Sequence, residues 1–355
     1  MLARGSTIGI LGGGQLGRMM AMSAAQLGYR TIGYAPDGDN VSASVNDGFV
    51  TAEWDDEAAL AGFAQRCDIV TWEFENVPVA TARAISQAKI FPDPLALETA
   101  QDRLNEKRFI EGLGGRPAAY ARVDSRADLE AAVNRTGAPG ILKTRRDGYD
   151  GKGQWRIMAA DDAASLALPD VPCVYEGFVS FEEEFSVILV RSREGEIRFW
   201  DSTRNVHEAG ILGASHYPAG PAIASQVAEA RELARKVADA LKYTGVLTLE
   251  FFATQQGPVF NEMAPRVHNS GHWTIEGAAT SQFENHIRAV AGLPLGDTRT
   301  TAERIEMRNI LGQDIEGAHR HLSDSRAHLH DYGKAEAKEG RKMGHLTLVS
   351  RDTRG

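Results

Sequence analysis

Two glutamates in one short stretch of the chain have the types and spacing of a metal site. Residues 246–252 and 259–263 are rich in β-branched and aromatic residues and flank a turn with Gly and Pro, which predicts a β-hairpin. In that hairpin Glu250 faces Glu262. Directly opposed Cβ atoms lie roughly 5 Å apart, and like charges there are destabilising. The pair therefore predicts a bound cation, and carboxylate oxygens, with the amide of Asn261, suit Mg²⁺.

A hairpin whose charges simply face water is the ordinary alternative for such a pair. The first strand has little room for a solvent-exposed face, because it also carries the apolar residues Leu247, Leu249 and Phe251. A metal site is therefore the favoured interpretation. The chain leaves the second strand through a dense run of hydrogen-bond donors, namely Arg266, His268, Asn269 and His272.

A glycine-rich turn near the start of the chain could hold an anion. Residues 12–17 (Gly-Gly-Gly-Gln-Leu-Gly) follow a predicted strand over 7–11 and precede a helical pattern. Glycines allow close backbone approach, and a helix N-terminus offers free N–H groups to an anion. Alone, this pattern suggests a dinucleotide-binding fold, with Asp37 and Asp39 near the spacing of a ribose ligand, but a lone glycine fingerprint is weak. Gln15 adds a polar side chain at the strand's carboxyl end.

A second glycine-rich stretch carries positive charge. Residues 145–154 (Arg-Arg-Asp-Gly-Tyr-Asp-Gly-Lys-Gly-Gln) lie between predicted strands over 140–144 and 155–158, the first of which holds Lys143. Glycines for mobility and cations for charge are what a lid over a polyphosphate requires. The stretch is not a P-loop, because no Gly-Lys-Ser/Thr opens a helix. A plain solvated hairpin loop is the alternative.

Polar residues also stand near the ends of other predicted strands. Glu75 and Asn76 follow a strand over 68–71, and Asn76 fits an N-cap of a helix over 78–87 as well as it fits a ligand contact. Basic residues that flank strands in a small C-terminal β-rich region suggest a phosphate site in an acidic protein, with ordinary surface charge as the alternative. These residues are Lys334, Arg341 and Lys342.

Length, charge and hydrophobicity limit the class of protein. A chain of 355 residues is longer than a single hydrophobic core normally supports, so two or three domains are expected. A net charge of −9 gives no indication of a nucleic-acid surface. The chain enters a strand almost at once, which leaves no room for a signal peptide, and no apolar run approaches the ~20 residues of a membrane helix. Cys67 and Cys173 lack metal-ligand spacing and are expected to be reduced core residues of a cytoplasmic protein.

These features together resemble an ATP-grasp enzyme, and more closely the 5-(carboxyamino)imidazole ribonucleotide synthetases of purine biosynthesis. The resemblance spans nearly the whole chain, and its last-but-one motif is very specific. The motifs are Gly-Gly-Gln-Leu-Gly-Arg (13–18), Gln-Asp-Arg (101–103), Arg-Asp-Gly-Tyr-Asp-Gly-Lys-Gly-Gln (146–154), Asn-Glu-Met-Ala-Pro-Arg-Val-His-Asn-Ser-Gly-His-Trp-Thr (261–274) and Gly-Arg-Lys-Met-Gly-His (340–345).

The resemblance implies an α/β (α+β) fold with three parts. An N-terminal Rossmann-like domain with a parallel sheet would cover residues 1–97, and an ATP-grasp domain 98–302, with a lid subdomain over about 117–188. A small β-rich domain would cover 303–355. The implied enzyme is a carbon–nitrogen ligase. It would use ATP to convert bicarbonate to carboxyphosphate and transfer the carboxyl group to the amine of 5-aminoimidazole ribonucleotide (AIR), releasing ADP and phosphate.

Roles for individual residues also follow from the resemblance alone. ATP contacts fall on Arg103, Lys143, Gly148, Tyr149, Asp150, Gly151, Lys152, Gly153, Gln154, Glu176, Gly177, Phe178, Val179, Glu184, His207, Asn261 and Glu262. Glu250 and Glu262 would hold Mg²⁺, as two ions. Catalytic roles fall on Asp150, Arg266, His268 and Asn269, and AIR contacts on Gln15, Leu16, Glu75, Asn76, Tyr149, Lys334, Arg341 and Lys342. Lys152 stands where many relatives are expected to carry Arg, which keeps the charge but loses a bidentate contact.

Three other functions remain as alternatives. Another ATP-grasp ligase, such as a formate-using glycinamide ribonucleotide transformylase, would share the ATP site and differ near Gln15 and Glu75. A nicotinamide-dependent dehydrogenase would explain residues 1–97 but not the paired glutamates. A non-catalytic regulatory binder would need a broken metal pair, and the pair is intact. The resemblance further implies a homodimer that binds neither nucleic acid nor membrane.

Overall fold

Parallel strands build the N-terminal part of the molecule. The structure is a computed structural model and describes residues 1–87, 89–148 and 153–351. The first four strands are all parallel, in the order β3-β2-β1-β4. This part comprises β1 Thr7–Leu11, α1 Gln15–Gln26, β2 Arg30–Ala35, a 3₁₀ helix Val41–Ser44, β3 Gly48–Thr51, α2 Glu57–Arg66, β4 Ile69–Trp72 and α3 Val79–Ala84. The predicted parallel sheet is confirmed.

Two short helices connect this sheet to the rest of the chain. α4 Leu95–Ala100 and α5 Arg103–Gly112 are separated at Gln101 and Asp102. The Asp102 carboxylate accepts hydrogen bonds from the N–H groups of Leu104 and Asn105, so it starts a new helix. The predicted helix over 78–87 is shorter, and Pro78 rather than Asn76 occupies its N-cap without a side-chain bond. The N-cap role of Asn76 was therefore wrong.

A second sheet lies within the segment that was predicted as the lid. Its four strands are antiparallel, in the order β5-β8-β6-β7, and its apolar core is separate from the others among the described residues. The elements are β5 Tyr120–Val123, α6 Arg126–Thr136, β6 Gly140–Thr144, β7 Gln154–Ile157, α7 Ala160–Ser165 and β8 Cys173–Gly177. Strands β6 and β7 form the predicted hairpin around the cationic loop. Tyr149, Asp150, Gly151 and Lys152 lie outside the described residues.

The third sheet has nine antiparallel strands within the described chain and joins the central and C-terminal segments. Its path is β14-β13-β9-β11-β12-β15-β17-β16, with β10 beside β9. The strands are β9 Glu183–Arg191, β10 Ile197–Phe199, β11 Arg204–Glu208, β12 Ile211–Tyr217, β13 Gly245–Thr254, β14 Gly257–Ala264, β15 Arg304–Leu311, β16 Ala327–Asp331 and β17 Lys342–Ser350. The helices are α8 Pro221–Ala224, α9 Val227–Ala240, α10 Thr274–Gly277 and α11 Gln282–Ala291, with 3₁₀ helices Asn269–Gly271 and Gly312–Ser323.

Packing joins the N-terminal sheet to the large sheet. One apolar cluster contains Leu11 and Trp72 of the first sheet together with Phe185 and Leu249 of the third. The polar segment 202–212 was not predicted as strand, yet it supplies β11 and the start of β12, because the neighbouring strands satisfy its backbone. The β12–β15 ladder crosses the predicted boundary at 302/303, and the division into three domains stays a prediction. None of the helices among the described residues combines the length and apolar character needed to cross a membrane.

Candidate active site

The predicted hairpin is present, and it places the two glutamates opposite each other. Strands β13 and β14 pair with Glu250 against Glu262, next to a register shift between Glu250 and Phe251. Glu250 is buried, whereas the Glu262 side chain is 47% exposed. Burial, followed by the charge of Glu262, raises the pKa of the Glu250 carboxyl to about 7. A buried carboxylate held beside a like charge fits a cation site, because a bound cation would remove both penalties.

Side chains with nitrogen donors flank the glutamate pair. Arg103 Nη1 lies 3.6 Å from Glu262 Oε2, and His268 Nε2 lies 3.4 Å from Glu250 Oε1. Across the described part of the chain, no three His, Cys, Asp or Glu side chains converge as a metal site. A metal ion at this pair would therefore complete its coordination with Asn261, water and substrate phosphates, as Mg²⁺ commonly does.

A buried glutamate gathers two lysines beside the lid. Lys143 Nζ lies 3.0 Å from Glu176 Oε2, and Lys107 Nζ lies 3.2 Å from Glu176 Oε1. Burial favours the neutral form of Glu176, but the two lysines outweigh it and lower the pKa of this carboxyl to about 2. The arrangement holds Lys143 in place beside the end of β8, which Phe178 and Val179 follow. Lys107 was missed, because a lysine inside an amphipathic helix normally lies in water.

The motif 101–103 ties the base of the lid to the site through three different contacts. The Gln101 amide donates to the carbonyl oxygens of Glu75 and Val77. Asp102 accepts from Arg145 at 3.1 and 2.7 Å, and Arg103 donates to the Gly148 carbonyl at 2.8 Å. Arg145, predicted as a lid cation for polyphosphate, is thus already paired with a carboxylate.

The glycine-rich turn is filled by a carboxylate of the chain itself. Glu73, which is buried, accepts from the N–H of Gly14 at 2.8 Å and of Gly17 at 3.2 Å. The space is tight, since a Cβ at Gly12, where φ is +121°, would lie 2.5 Å from Glu73. Glu73 therefore occupies the place where a dinucleotide would put its pyrophosphate, which argues against the dehydrogenase.

Other predicted acceptor residues lie next to this turn. Glu75 Oε2 is 2.6 Å from Arg266 Nη2, so the structure joins a residue predicted to contact AIR to one predicted to be catalytic. Gln15 begins α1, half-buried, whereas the Leu16 side chain packs in the apolar core and leaves only its backbone for a ligand.

The C-terminal basic residues lie together around the end of β16 and the start of β17. Lys334 Nζ donates to the Lys342 carbonyl at 2.7 Å, and Arg341 Nη2 is 2.8 Å from Asp39. Burial, followed by the charge of Arg341, lowers the pKa of the Lys334 amine to about 8. Asp39, considered above as a ribose ligand, instead bonds to this group.

The loop after β14 is held from three sides. The Gln282 amide accepts from the His268 N–H and donates to the His268 carbonyl, and Asn309 exchanges amide hydrogen bonds with Asn269 at 2.6 and 2.9 Å. His272 is turned away, buried against His345 with ring centroids 4.7 Å apart. The loop therefore presents Arg266, His268 and Asn269, and His272 serves packing.

A histidine–carboxylate pair joins two residues that were predicted to contact ATP. His207 Nδ1 is 2.7 Å from Glu184 Oε2, and this carboxylate raises the pKa of the imidazole against the effect of burial. The buried Glu106 accepts from the Met263 N–H at 2.7 Å and so fixes β14 beside Glu262. Sequence patterns gave no signal for Glu106, Gln282 or Asn309, because their partners are distant in the chain.

Comparison with protein families covers almost the whole chain. Residues 5–101 match the ribonucleotide synthetase preATP-grasp domain, and residues 108–283 match the ATP-grasp domain. Residues 306–354 match the phosphoribosylaminoimidazole carboxylase C-terminal domain. The ATP-grasp fold with an N-terminal parallel sheet is thereby confirmed.

Individual relatives agree with these matches. The chain is 49% identical to the N5-carboxyaminoimidazole ribonucleotide synthase of Brucella melitensis, over 98% of this chain and 97% of the relative. A crystal structure of the synthetase from Thermus thermophilus is 45% identical with a TM-score of 0.89, covering 96% of this chain and 93% of that one. The Aspergillus clavatus synthase in complex with ADP and AIR is 32% identical with a TM-score of 0.89, covering 98% and 94%.

Proposed function

Because the chain belongs to the N5-carboxyaminoimidazole ribonucleotide synthase family, ATP-grasp ligases that carboxylate AIR with ATP in purine biosynthesis, we propose a division of its cleft into two sides. ATP lies between the lid and the large sheet, and AIR lies between the N-terminal sheet and the C-terminal basic residues. The observation that carries the proposal is the Glu250–Glu262 pair, with Arg103 beside Glu262 and His268 beside Glu250.

On the ATP side, each charged group has a role that follows from its position. Lys143 and Arg103 neutralise the phosphates. Residues 148–154, of which 149–152 lie outside the described residues, would close over the phosphates. Residues 176–179 hold the adenine at the hinge, and Glu184 with His207 faces the ribose. Glu250, Glu262 and Asn261 hold Mg²⁺, as two ions. When bound, Mg²⁺ supplies Lewis-acid stabilisation of the charge on the phosphates.

On the acceptor side, the residues bind and orient the ribonucleotide. Lys334, Arg341 and Lys342 hold the 5′-phosphate of AIR, and Gln15, the Leu16 backbone, Glu75 and Asn76 contact its remainder. Arg266, His268 and Asn269 bind bicarbonate, and Glu75 fixes the Arg266 guanidinium at 2.6 Å. Tyr149 and Asp150, outside the described residues, are proposed to meet the amine of AIR.

The proposed reaction needs no protein nucleophile. A bicarbonate oxygen attacks the γ-phosphorus of ATP, ADP leaves, and carboxyphosphate forms. The AIR amine then forms a C–N bond to the carboxyl carbon, loses a proton to Asp150, and phosphate leaves. The lid protects the labile acyl phosphate by excluding water, and positioning with charge stabilisation suffices for phosphoryl transfer.

The test is ADP release with Mg-ATP and bicarbonate, with and without AIR. Strong stimulation by AIR, and none by glycinamide ribonucleotide with formate, is expected. ADP release that is indifferent to AIR would refute the placement of the acceptor. The variant Asp150→Asn should lower carboxylation far more than ATP affinity, and equal losses would move Asp150 to the nucleotide site.

We also propose a cytoplasmic homodimer, on the resemblance to the family. Sedimentation equilibrium at catalytic concentration would test the dimer, and a monomeric mass with full activity would refute it.

A further inference from the structure

A row of buried polar side chains crosses the large sheet from the glutamate pair into its interior. In the β ladder Glu262 opposes Glu250, Glu250 opposes Ser186, and Asn205 opposes Ser215. Residues opposed in a ladder share one face of the sheet. Ser186, Asn205 and Ser215 are each at most 4% exposed, although this depth of a sheet normally carries apolar residues.

Hydrogen bonds connect this row to His268. Asn205 Nδ2 donates to Ser186 Oγ at 2.7 Å, and Ser186 Oγ lies 2.8 Å from Ser270 Oγ. Ser270 Oγ in turn lies 2.9 Å from His268 Nδ1. We name Asn205, Ser186 and Ser270 the polar relay.

The orientation of the Asn205 amide sets the direction of the polar relay. Its Oδ1 accepts from the hydroxyls of Ser215 at 2.9 Å and Thr203 at 3.2 Å, so its Nδ2 faces Ser186. Turning the amide over would leave both hydroxyl protons without an acceptor among the described residues. Buried donors without acceptors are costly and therefore rare.

Proton counting then fixes the remaining links. The Ser186–Ser270 contact joins two hydroxyls, and each can rotate its proton, so its geometry lets either one donate. Ser186 already accepts from Asn205 and has no side-chain partner other than Asn205 and Ser270 in the described chain, so its own proton goes to Ser270. The Ser270 proton then goes to His268 Nδ1, which also accepts the Ser270 backbone N–H at 3.3 Å. The opposite order would leave the Ser186 hydroxyl proton and the Ser270 N–H unsatisfied, which buried groups rarely are.

We propose that the polar relay fixes the His268 imidazole with its proton on Nε2, so that His268 acts as a hydrogen-bond donor in the reaction and not as a base. Nε2 is the atom that lies 3.4 Å from Glu250 Oε1. Its N–H is aimed at acceptor oxygens, which a carboxylate or an incoming bicarbonate supplies. Ser186, Asn205 and Ser270 are positioning residues that act through His268. The inference rests on the proposed function only where it places bicarbonate beside His268.

The tautomer can be measured directly, without substrate. Two-bond ¹H–¹⁵N correlation on enzyme carrying ¹⁵N-histidine distinguishes protonated from unprotonated ring nitrogens, and the spectrum of His268→Gln assigns the signals. An unprotonated Nδ1 and a protonated Nε2 are expected. A protonated Nδ1 in the wild-type enzyme would overturn the proposal.

A stricter test reverses the direction of the hydrogen bonds in the polar relay. Asn205→Asp is nearly isosteric but replaces the donor facing Ser186 with an acceptor, so every hydroxyl turns round and Nδ1 becomes protonated. We expect kcat/KM for bicarbonate to fall at least about tenfold, with little change in KM for ATP, since one hydrogen bond to a charged group is lost. An Asn205→Asp enzyme that keeps the wild-type tautomer would overturn the proposal.

Ser270→Ala tests the relay if Asn205→Asp fails to fold, and Thr248→Val serves as the control. Ser270→Ala breaks the polar relay at His268 with a smaller change and should give mixed tautomers and a few-fold rise in KM for bicarbonate. The control is Thr248→Val, which removes a buried hydroxyl that has no hydrogen-bond partner among the described residues and should change neither. If the tautomer changes as expected in Asn205→Asp and Ser270→Ala but bicarbonate kinetics stay at the wild-type values, the placement of bicarbonate beside His268 is wrong and the relay stands. A single wild-type tautomer persisting in Ser270→Ala would overturn the relay itself.

Discussion

Substituting Glu262 with Gln should make the metal-free protein more stable while it abolishes ATP turnover. Two carboxylates about 5 Å apart repel by about 3 kcal/mol at an effective dielectric constant near 20. Solvent reaches 47% of the Glu262 side chain, and Arg103 lies 3.6 Å away, so screening reduces the expected gain to about 1 kcal/mol. The same substitution removes a proposed metal ligand and should leave turnover at background.

The gain in stability from Glu262→Gln should be larger at high pH than at low pH. The pKa of Glu250 is raised from 4.5 to about 7, so between these values the folded wild type binds more protons than the unfolded chain. Its stability therefore falls as pH rises through this window. The advantage of Glu262→Gln should be present at about pH 8 and nearly absent at about pH 5, where Glu250 is protonated and the repulsion is gone.

Urea unfolding in EDTA at both pH values measures this effect. Glu316→Gln, which makes the same charge change at an exposed site, is the matched control and should not alter stability. Added Mg²⁺ with ADP should stabilise the wild type and not Glu262→Gln. A metal-free Glu262→Gln protein less stable than wild type at about pH 8, or one with normal turnover, would refute the cation site.

Three other predictions concern the flanks of the site. The pKa of Lys334 is lowered to about 8, so kcat/KM for AIR should fall as pH rises through that value. Lys334→Arg keeps its charge at higher pH and should remove this fall in kcat/KM. An unchanged pH profile in Lys334→Arg would contradict the phosphate role. Lys107→Met should destabilise the protein in urea by about 2–3 kcal/mol, because the buried Glu176 keeps only one lysine; a loss below about 1 kcal/mol would mean that the pair is dispensable. Arg145→Ala should raise KM for ATP about tenfold by releasing the base of the lid, whereas the exposed Arg156→Ala should not, and equal effects would show that charge alone matters.

Local patterns predicted the elements that depend on local physics. The β13–β14 hairpin and its Glu250–Glu262 register follow from alternation and turn chemistry, which are properties of neighbouring residues. Strand β1 and the turn after it were likewise predicted from their own composition. The family resemblance then supplied the fold class, which the comparisons confirmed.

Long-range partners explain what local patterns missed. The polar strand β11 forms only because β9 and β12 satisfy its backbone. Glu73 enters the glycine-rich turn from a strand that lies 59 residues from Gly14 in the chain. Arg145 has the charge of a phosphate ligand, but the proximity of Asp102, 43 residues away, decides its role.

The β12–β15 ladder has a consequence for the integrity of the chain. A cut between residues 302 and 303 would leave an unpaired strand edge on each fragment, and each edge displays the hydrogen-bonding groups that the other requires. The two fragments would therefore recognise each other by the same backbone bonds that now join them. On the proposed placement of the basic residues after β16 in the AIR site, reassembly of the two fragments and restored catalysis would be one event.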